Sequence, residues 1–448
     1  MSLAVLDLND ASLTLGDVDG IRARSPGFAL LAAEAPLLGE AARSKARIDP
    51  RSTNSQFWLR LGTEPLHHAP AHTRHNADLG YRHLLHVHEL AGQPAELLLA
   101  VPGSFSREQL AMLLGIAERC PFRACGLVDS AIAAASTESL SGAALHLELQ
   151  LHQAVLTQID HADGMLTRGA VRALPGAGLA ALQDRWARRA AESFIRQSRF
   201  DPLHAAATEQ QLHDRLPGWL EALASQDSVE AELQQQSNRY RATLRAGEML
   251  DAVQSIYADL LEALAREGTS ATLLLGARAA GLPRFAERVP EARTLADNAA
   301  IRGALRHASL VRSEERALRF VTRLPAELAA ASLRVPTPVK PAATRTRASA
   351  PTHLVSGSSA LRLDSGTLYL LGNDEEGWAL SRSTSAASRC RLEQDGTDWY
   401  ACAAPGVLLR IDGLPAPGRV RVGAGTHLGI ESEALVFVTE VVAGGNGA

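Results

Sequence analysis

The sequence predicts an α/β protein made of two similar halves, followed by a small all-β domain. Three observations lead to this prediction: short alternating strands open the chain, the same pattern returns near Ala143, and the C-terminal part contains only short β-like runs. Alternation with a period of two is typical of strands that bury one face. Helical patterns between the later strands favour a sheet covered by helices.

The first half opens with short strands and continues with alternating strands and helices. The opening β-meander is predicted in LAVLDL, ASLTLGD and GIRARSP. A buried strand is then predicted in ELLLAVPG, an amphipathic helix in SREQLAMLLGIAERC and another strand in RACGLVD. Ser106 opens that helix, where a hydroxyl side chain can cap the free backbone amides.

The second half repeats this order. A second meander is predicted in ALHLELQ, QAVLTQID and MLTRGAVRAL, followed by a long helix that begins near Gly178. Two halves that open in the same way indicate a duplicated α/β unit. The remaining elements are expected as helical sequence to about Asp227, a strand from about Tyr240 to Arg245, a helix to about Arg266, a buried strand in ATLLLGA, and closing helices to about Leu324.

A linker and a β-domain are expected next. Residues 331–352 carry proline, alanine, threonine and basic residues with no hydrophobic period, which is typical of a flexible linker. Residues 353–442 contain runs such as TLYLLGND, WYACAAPG and ALVFVTEVV between glycine and proline turns. We therefore expect a small all-β sandwich over 353–442.

Composition and charge restrict the class of protein. Of the 448 residues, 46% are hydrophobic and 21% are charged, which predicts a buried core, and the formal net charge is -4. This charge creates no field that would attract nucleic acid or anionic lipid. The start MSLAVLDLND lacks a signal-peptide pattern and no apolar run is long enough for a membrane span, so we expect a cytoplasmic protein. The four cysteines form no CxxC pair, which favours buried free thiols.

A group of histidines lies between His67 and His88, with His83 and His86 at helical spacing. Imidazoles are common metal ligands, so a metal site is one interpretation. Only one acidic residue, Asp78, is interleaved with them. We therefore favour a solvated, variable surface segment over a metal site.

Several segments in the first 325 or so residues have a recognisable order. They are PLLGEAARSKARIDPRST, LLLAVPGSFSREQLAMLLGIAERC, RALPGAGLAAL, LLLGARAAGLPRF and DNAAIRGAL. In this order they resemble segments of the ATPase domain of the seventy-kilodalton heat-shock chaperones. The resemblance implies a duplicated actin-like (ribonuclease-H-like) ATPase fold over residues 1–330, with lobe I at about 1–137 and lobe II at about 138–330.

In that family a nucleotide lies between the lobes. Two glycine-rich hairpins hold its phosphates, and carboxylates organise magnesium and the attacking water. The resemblance implies that Asp7 faces the metal. Asn9 replaces the glycine of the first hairpin, and Asp10 adds a negative charge where a phosphate would lie.

The second hairpin departs further from the family pattern. The family's Asp-Leu-Gly-Gly-Gly-Thr corresponds to residues 148–153, ELQLHQ, in which no glycine remains. The side chains of Leu151 and His152 would keep backbone amides away from a phosphate. We therefore expect an ordinary core meander at this position.

The residues that the family uses for catalysis are also replaced. Its lysine corresponds to Trp58 and its glutamate to Val128, with Asp129 beside it. An indole cannot replace an ammonium group, and valine cannot polarise water. Arg60 and Asp129 could substitute from neighbouring positions, but strand and helix geometry would direct them elsewhere. Residues 234–236, three glutamines expected in a helical stretch, replace the lysine and arginine used near adenosine.

Two segments keep part of the family's chemistry. Gly176 and Gly178 lie at a helix start, where free backbone amides can bind an anion. Gly276 and Arg278 match part of the adenosine loop, where a base could stack. The cofactor is therefore expected to be either absent or ATP or ADP with magnesium. The candidate cofactor-binding residues are Asp7, Asn9, Asp10, Gly176, Gly178, Gly276 and Arg278, and Asp7 is the candidate metal ligand.

The C-terminal run CRLEQDGTDWYACAAPGVLLRIDGLPAPGRVRVGAGTHLGI resembles the later half of a forkhead-associated domain. Gly406 stands where that family has a strand-turn glycine, and Asp412 and Gly413 stand where it has an Asn-Gly pair. Arg389 falls where its histidine would be, and the other phosphothreonine-binding signatures are not clear. Scaffolding through the loops is therefore favoured over phosphopeptide binding.

The sequence thus favours a chaperone-like pseudo-ATPase that acts as a binding or regulatory scaffold, joined to a forkhead-associated-like interaction domain. Protein partners would bind through the cleft or surface of the ATPase-like part and through the β-domain, and neither nucleic acid nor a membrane is expected. Two alternatives remain open. One is an atypical ATPase in which Asp7, Asp129 and the loop at Gly176 hold magnesium and ATP, and the other is an actin-like assembly protein.

Overall fold

The computed structural model describes residues 3–31, 35–66, 73–267, 271–313 and 318–326, and in the C-terminal part residues 351, 353–356, 359–364, 366–373, 377–385, 388–396, 398–404, 407, 409–411, 414–415, 418–422, 426–430 and 433–438. The chain divides into two compact units, Met1–Arg334 and Val335–Ala448.

The first unit alternates strands and helices along the chain. Its elements are β1 (Leu3–Asp7), β2 (Leu13–Asp17), β3 (Gly20–Ser25), β4 (Ala29–Leu30), β5 (Leu37–Leu38), α1 (Glu40–Arg43), β6 (Thr53–Asn54), α2 (Asn76–Leu90), β7 (Glu96–Val101), α3 (Arg107–Ala117), β8 (Arg123–Asp129), α4 (Ser130–Ala135), β9 (Ala144–Leu149), β10 (Gln153–Ala162), β11 (Met165–Pro175), α5 (Leu179–Ser198), α6 (Ala206–Leu223), β12 (Ser228–Gln235), β13 (Asn238–Arg245), α7 (Ala246–Glu267), β14 (Thr272–Leu275), α8 (Ala277–Ala280), a 3-10 turn (Ala286–Arg288), β15 (Arg293–Thr294), α9 (Ala299–Arg306), α10 (Ala308–Val311), β16 (Phe320–Val321) and β17 (Arg323–Pro325). None of the described helices has both the length and the apolar composition needed to span a membrane.

Two six-stranded sheets form the framework of this unit, and they share a strand order. In the first sheet, β1, β2 and β3 form an antiparallel meander, and β7 and β8 follow β1 in parallel, with β16 beside β8. In the second sheet, β9, β10 and β11 form the meander, and β14 and β15 follow β9 in parallel, with β17 beside β11. Both meanders predicted from the sequence are therefore present.

Helices α4 and α9 cross where the two halves meet. Helix α4 comes from the first half but contacts β9, β11 and β17 of the second sheet, whereas α9 comes from the second half and contacts β1, β2 and β7 of the first. The crossing is close because Gly303 has no side chain: a Cβ atom there would lie 1.7 Å from the carbonyl oxygen of Ala133. Each half is thus held by a helix of the other.

Buried apolar residues form three clusters in the first unit. One lies in the first half and includes Leu13. Another lies in the second half and includes Trp186 and Tyr257. The third includes Ile132 of α4 and Ile301 of α9, together with residues of both sheets. Strand β7 is apolar and buried from Leu97 to Val101, because a strand covered on both faces has no solvent-facing side.

Two sequence predictions for this unit are wrong. Gln234 and Gln235 end strand β12, and Gln236 lies in the hairpin turn with φ 54°, so the helical prediction for 234–236 fails. The segment SVEAELQQ instead buries Ala231 and Leu233 with a period of two. The closing helices end with α10, and the chain then adds β16 to one sheet and β17 to the other.

The second unit is all β in its described residues. Its strands are β18 (His353–Ser356), β19 (Ser359–Arg362), β20 (Thr367–Asn373), β21 (Gly377–Ser381), β22 (Ser388–Asp395), β23 (Asp398–Ala403), β24 (Leu409–Ile411), β25 (Leu414–Pro415), β26 (Arg419–Val422), β27 (His427–Ile430) and β28 (Glu433–Val438). They form two antiparallel sheets, ordered β19-β18-β28-β27-β24-β25 and β21-β20-β22-β23-β26. Residues of both sheets, among them Leu354 and Trp399, share one buried cluster.

Some predicted features of the C-terminal part cannot be located. Gly406, Asp412 and Gly413 lie outside the described residues, as does most of the predicted linker. Arg389 lies in β22, where its carbonyl oxygen accepts a hydrogen bond from the amide of Ala404 at 3.0 Å. The predicted all-β character of this part is confirmed for the residues that the structure describes.

Candidate functional site

The turns that join β1 to β2 and β9 to β10 occupy equivalent positions in the two sheets. In the first turn the amide of Ser12 donates to the carbonyl oxygen of Asn9 at 3.0 Å. In the second, the amide of Gln150 donates to the carbonyl oxygen of Gln153 at 2.9 Å. Both turns lie at the ends of central strands, so the fold brings them together.

The two turns bind each other directly. The carboxylate of Asp10 accepts a hydrogen bond from the amide of Leu151 at 2.7 Å, and the side-chain amide of Asn9 donates to the carbonyl oxygen of Leu149 at 3.0 Å. Asn9 and Asp10 are both buried. Burial raises the pKa of Asp10 above its ordinary value, although the Leu151 amide favours the charged form. The Leu151 amide already has an anionic acceptor, so it is not available to a phosphate.

A small cavity lies beside this contact, with a volume of about 30 Å3. Its walls include Asp7, Glu148, Gly276, Arg278 and Asp297. Small-molecule pockets commonly have volumes of about 300–1,000 Å3. The cavity has room for a few water molecules.

Arg278 occupies the centre of this charged group. Its guanidinium donates to the carbonyl oxygen of Ser12 at 3.0 Å, and it lies 3.6 Å from a carboxylate oxygen of Glu148. It therefore joins the first meander to the second. The guanidinium predicted to stack on a base is used here within the protein.

Burial changes the proton affinities of the groups around the cavity. It raises the pKa of Asp7 to about 6, with Arg278 lowering it and Asp297 raising it further. Burial also raises the pKa of Glu148 to about 7, against the opposing effect of Arg278. His146 has its pKa lowered to about 4 by burial. Its Nε2 atom lies 3.9 Å from Glu148 and has no hydrogen-bond partner within the described part of the chain.

Gly276 lies directly against the carboxylate of Glu148. A Cβ atom at this position would lie 2.4 Å from an oxygen of Glu148, well inside van der Waals contact. The amide of Gly276 is already bonded to the carbonyl oxygen of Leu147 at 2.9 Å. The absent side chain makes room for a protein carboxylate at this position.

The prediction of free amides at this helix start is wrong for Gly176. The amide of Gly176 donates to the carbonyl oxygen of His152 at 3.0 Å, and the next two helical amides, at positions 179 and 180, donate to carbonyl oxygens of the same turn. A Cβ atom at Gly178 would lie 2.3 Å from the backbone nitrogen of Gln153. These glycines allow α5 to begin against the second turn.

Gly176 and Gly178 are also absent from the group around the small cavity. Gly176 has φ 77° and lines a separate groove, together with Pro175 and Ala177. The structure brings Asp7, Asn9, Gly276 and Arg278 to one cavity and leaves Gly176 outside it.

The positions that correspond to the family's catalytic lysine and glutamate are part of the core. Trp58 is buried, and its indole N–H donates to Nδ1 of His83 at 2.9 Å. Val128 is fully buried in β8. Arg60 is exposed, and its carbonyl oxygen accepts from the side chain of Asn76. None of these side chains offers a proton donor or acceptor to the cavity.

Asp129 has a structural role at the join between the halves. Its carboxylate caps α4 by accepting from the amide of Ile132 at 3.0 Å, and it forms an ion pair with Arg168 of β11 at 3.1 Å. Gly103 packs against this pair, because a Cβ atom there would lie 2.8 Å from the Asp129 carboxylate. Asp129 is fully buried and is therefore committed to this contact.

The predicted solvated histidine surface is wrong for the buried members of the group. His83 is fully buried and also contacts the hydroxyl of Ser25 at 2.8 Å, and burial lowers its pKa to about 3. His88 is buried and contacts the carbonyl oxygen of Pro94 at 2.9 Å. Among the described residues no group of three potential ligands could hold a metal ion. His67 and His68 lie outside the described residues.

The two halves also meet through a polar contact around Arg47. Its guanidinium pairs with Asp184 of α5 at 2.5 Å, and its backbone amide donates to the side chain of Gln210 of α6 at 2.8 Å. The same glutamine donates to the carbonyl oxygen of Arg43 at 3.1 Å. This contact fastens the segment after α1 to the helices of the second half.

Sequence reasoning missed Arg47 and Arg168, which join the two halves, and it gave no role to His146 or Glu148 beside the small cavity. Glu148 had a visible signal, since it aligns with Asp7 at the end of an equivalent strand. The arginines had none, because their acidic partners lie far away along the chain.

A scan against models of protein families found no match for this chain. A search of curated proteins also found none.

Proposed function

We propose that this protein is a pseudo-ATPase of chaperone-like and actin-like fold that acts as a binding or regulatory scaffold. The shared strand order of the two sheets supports a duplicated α/β unit of this kind. The crossing of α4 and α9 between the halves is in keeping with two lobes that pack on each other.

The hydrogen bond from Leu151 to Asp10 carries this proposal. A phosphate-binding pair of hairpins needs free amides and a gap between the turns. Here a carboxylate of one turn takes the amide of the other, and the side chain of Asn9 adds a second bond. The protein supplies its own anion at the position where the resemblance would put a phosphate.

The catalytic requirements of phosphoryl transfer point the same way. The reaction needs a positioned nucleophile and cationic groups that stabilise the developing charge. The guanidinium of Arg278 is engaged by Glu148 and Ser12, and Trp58 stands in the core. Catalytic groups act together, so their effects on the rate are not additive. Replacing several of them should therefore leave very little phosphoryl transfer.

The scaffold role would use surfaces instead of the cleft. The contacts of Arg47, Arg168 and Arg278 fasten the halves at separate places, which favours one closed arrangement over a nucleotide-driven cycle. The C-terminal β unit would serve as the second interaction module, consistent with its resemblance to forkhead-associated domains. Its loops would contact protein partners.

Calorimetric titration of the full chain with ATP and magnesium tests the proposal. We expect no saturable heat at millimolar nucleotide and no phosphate release above that of buffer. Arg278→Ala serves as a matched variant, because any residual binding through the adenosine-like loop should weaken in it.

One result would replace the proposal with the atypical ATPase. It is a magnesium-dependent turnover in the unmodified protein that Asp7→Ala abolishes. Asp7 is the right residue for this test, because it lines the small cavity and is the candidate metal ligand.

A further inference from the structure

Helices α5 and α7 lie side by side on the second half and run in opposite directions. A guanidinium nitrogen of Arg185 donates to the hydroxyl of Ser255 at 2.8 Å, whereas Arg196, further along α5, binds Glu248 at 2.9 Å. As residue numbers rise on α5, those of the contacted α7 residues fall. The two helices therefore form one antiparallel face.

The two helices expose opposite charges on this face. Helix α5 presents Arg185 and Arg188 as a basic ridge, and α7 presents Asp251 and Asp259 as an acidic ridge, all four of them exposed. Each helix also carries one exposed charge of the other sign, but Glu192 on α5 is paired with Arg189 and Arg266 on α7 is paired with Glu262.

Within the described part of the chain, neither arginine of the basic ridge forms an ion pair, and neither aspartate of the acidic ridge forms an ion pair or a side-chain hydrogen bond. Among the described residues these four charged side chains therefore have no partner of opposite charge, although Arg185 donates to the Ser255 hydroxyl and Arg188 to the carbonyl oxygen of Asp184.

A groove runs between these ridges. Part of it has a volume of about 610 Å3 and is lined by both Arg188 and Asp251, with Ala252 between the charged walls. A second part, of about 340 Å3, continues past Arg185 over Ile256. Apolar residues in the middle with charged residues at the sides are typical of protein interfaces.

We propose that this α5–α7 face binds the same face of a second copy through a two-fold contact. The two-fold axis would lie in the plane of the face, between the helices and parallel to them. Rotation by 180° about this axis places the basic ridge of each copy on the acidic ridge of the other. Both ridges are neutralised at once. A uniformly acidic partner would be repelled by the acidic ridge on α7. A uniformly basic partner would be repelled by the basic ridge on α5.

The size of the face predicts a weak and reversible dimer. Helices of 20 and 22 residues span about 30 Å, and two neighbours form a face about 20 Å wide, so each copy offers roughly 600 Å2. Stable interfaces bury about 800 Å2 on each partner. The contact is largely charged, so salt should weaken it.

Sedimentation equilibrium of the full chain at low salt tests this inference. The expected result is a mass that rises with concentration from one copy to two and no further. The double variant Arg185→Glu with Arg188→Glu should weaken the dimer by about 30-fold or more, because like charges would then face each other. Asp251→Arg with Asp259→Arg should weaken it to a similar extent.

Mixing the two charge-reversed variants provides the decisive result. Each ridge in the mixed pair faces a ridge of opposite sign, so the dimer should return, and a misfolded variant could not restore it. Arg107→Glu on α3 with Arg119→Glu in the turn after it, both outside the face, should leave the dimer unchanged. A chain that stays single at every concentration, a dimer insensitive to the reversals, failure of the mixture to associate, or growth beyond two copies would each overturn the proposal.

Discussion

The carboxylate of Asp10 and the backbone amide of Leu151 are hydrogen-bonded at 2.7 Å although 141 positions separate them in the chain. The bond joins equivalent turns of two sheets that share a strand order. One turn thus supplies an anion and the other the amide that binds it.

Removing the Asp10 carboxylate should loosen this contact. We expect Asp10→Ala to lower the free energy of unfolding by about 1–3 kcal/mol, because the Leu151 amide would be left buried without an acceptor. Asp10→Asn keeps an acceptor oxygen, so its free energy of unfolding should fall by a smaller amount. Urea denaturation measures both values, and hydrogen exchange at Leu151 should speed up in the alanine variant. Equal stability of Asp10→Ala and the unmodified chain would contradict this interpretation.

Restoring the family's lysine should not create an ATPase. Trp58→Lys would put an ammonium into a buried site and remove the indole that donates to His83, so we expect no phosphate release above buffer. We also expect a loss of about 3–5 kcal/mol in the free energy of unfolding. Trp58→Phe keeps most of the apolar volume, so its free energy of unfolding should fall clearly less than that of Trp58→Lys. A stable and hydrolytically active Trp58→Lys protein would refute the proposed core role.

The partly buried carboxyl of Glu148 predicts a particular pH dependence. Its pKa rises from 4.5 to about 7 on folding, so the folded state holds this proton more tightly than the unfolded state. The contribution of Glu148 to the free energy of unfolding therefore falls as the pH rises from 4.5 to about 7. Glutamine does not titrate, so Glu148→Gln lacks this pH-dependent loss. As the pH rises across that range, the free energy of unfolding of Glu148→Gln should increase by about 1–3 kcal/mol relative to that of the unmodified protein. Parallel stability curves for the two proteins would show that the carboxyl is not perturbed.

The crossing of α4 and α9 should depend on Gly303. A Cβ atom there would lie 1.7 Å from the carbonyl oxygen of Ala133, so Gly303→Ala should lower the free energy of unfolding by at least about 1–3 kcal/mol. Gly115→Ala in α3 is the matched control, since a Cβ atom there meets nothing within 4 Å. The free energy of unfolding of the control should increase by about 0.5–1 kcal/mol, because alanine has a higher helix propensity than glycine. Similar effects of the two substitutions in thermal unfolding would argue against the close crossing.

Limited digestion should separate the two units. The predicted linker at 331–352 offers trypsin Arg334, Arg345 and Arg347, and its composition contains no apolar period that could form a core. We expect two resistant fragments, identified by mass spectrometry, with cuts at these residues. Early cuts inside the β unit, with all three sites resistant, would count against this boundary.

Local sequence patterns determined most of the framework. The period-two runs at β1 to β3 and β9 to β11 predicted both meanders, and the cap at Ser106 predicted the start of α3, where its hydroxyl accepts from the amide of Gln109. These signals succeed because alternation and capping depend on neighbouring residues. The pattern failed at 234–236, where the hairpin turn contains a residue with positive φ and no glycine marks it.

The resemblance also predicted from the sequence alone that the glycines, the lysine and the glutamate of that family are replaced, because such differences can be read one position at a time. Only the tertiary structure decided what the replacements do. Asp10 receives the Leu151 amide, Arg278 binds Glu148, and Trp58 donates to His83, and none of these contacts has a local pattern. Each joins residues that are far apart in the chain, and their distance and orientation exist only after the sheets and the crossing helices have packed.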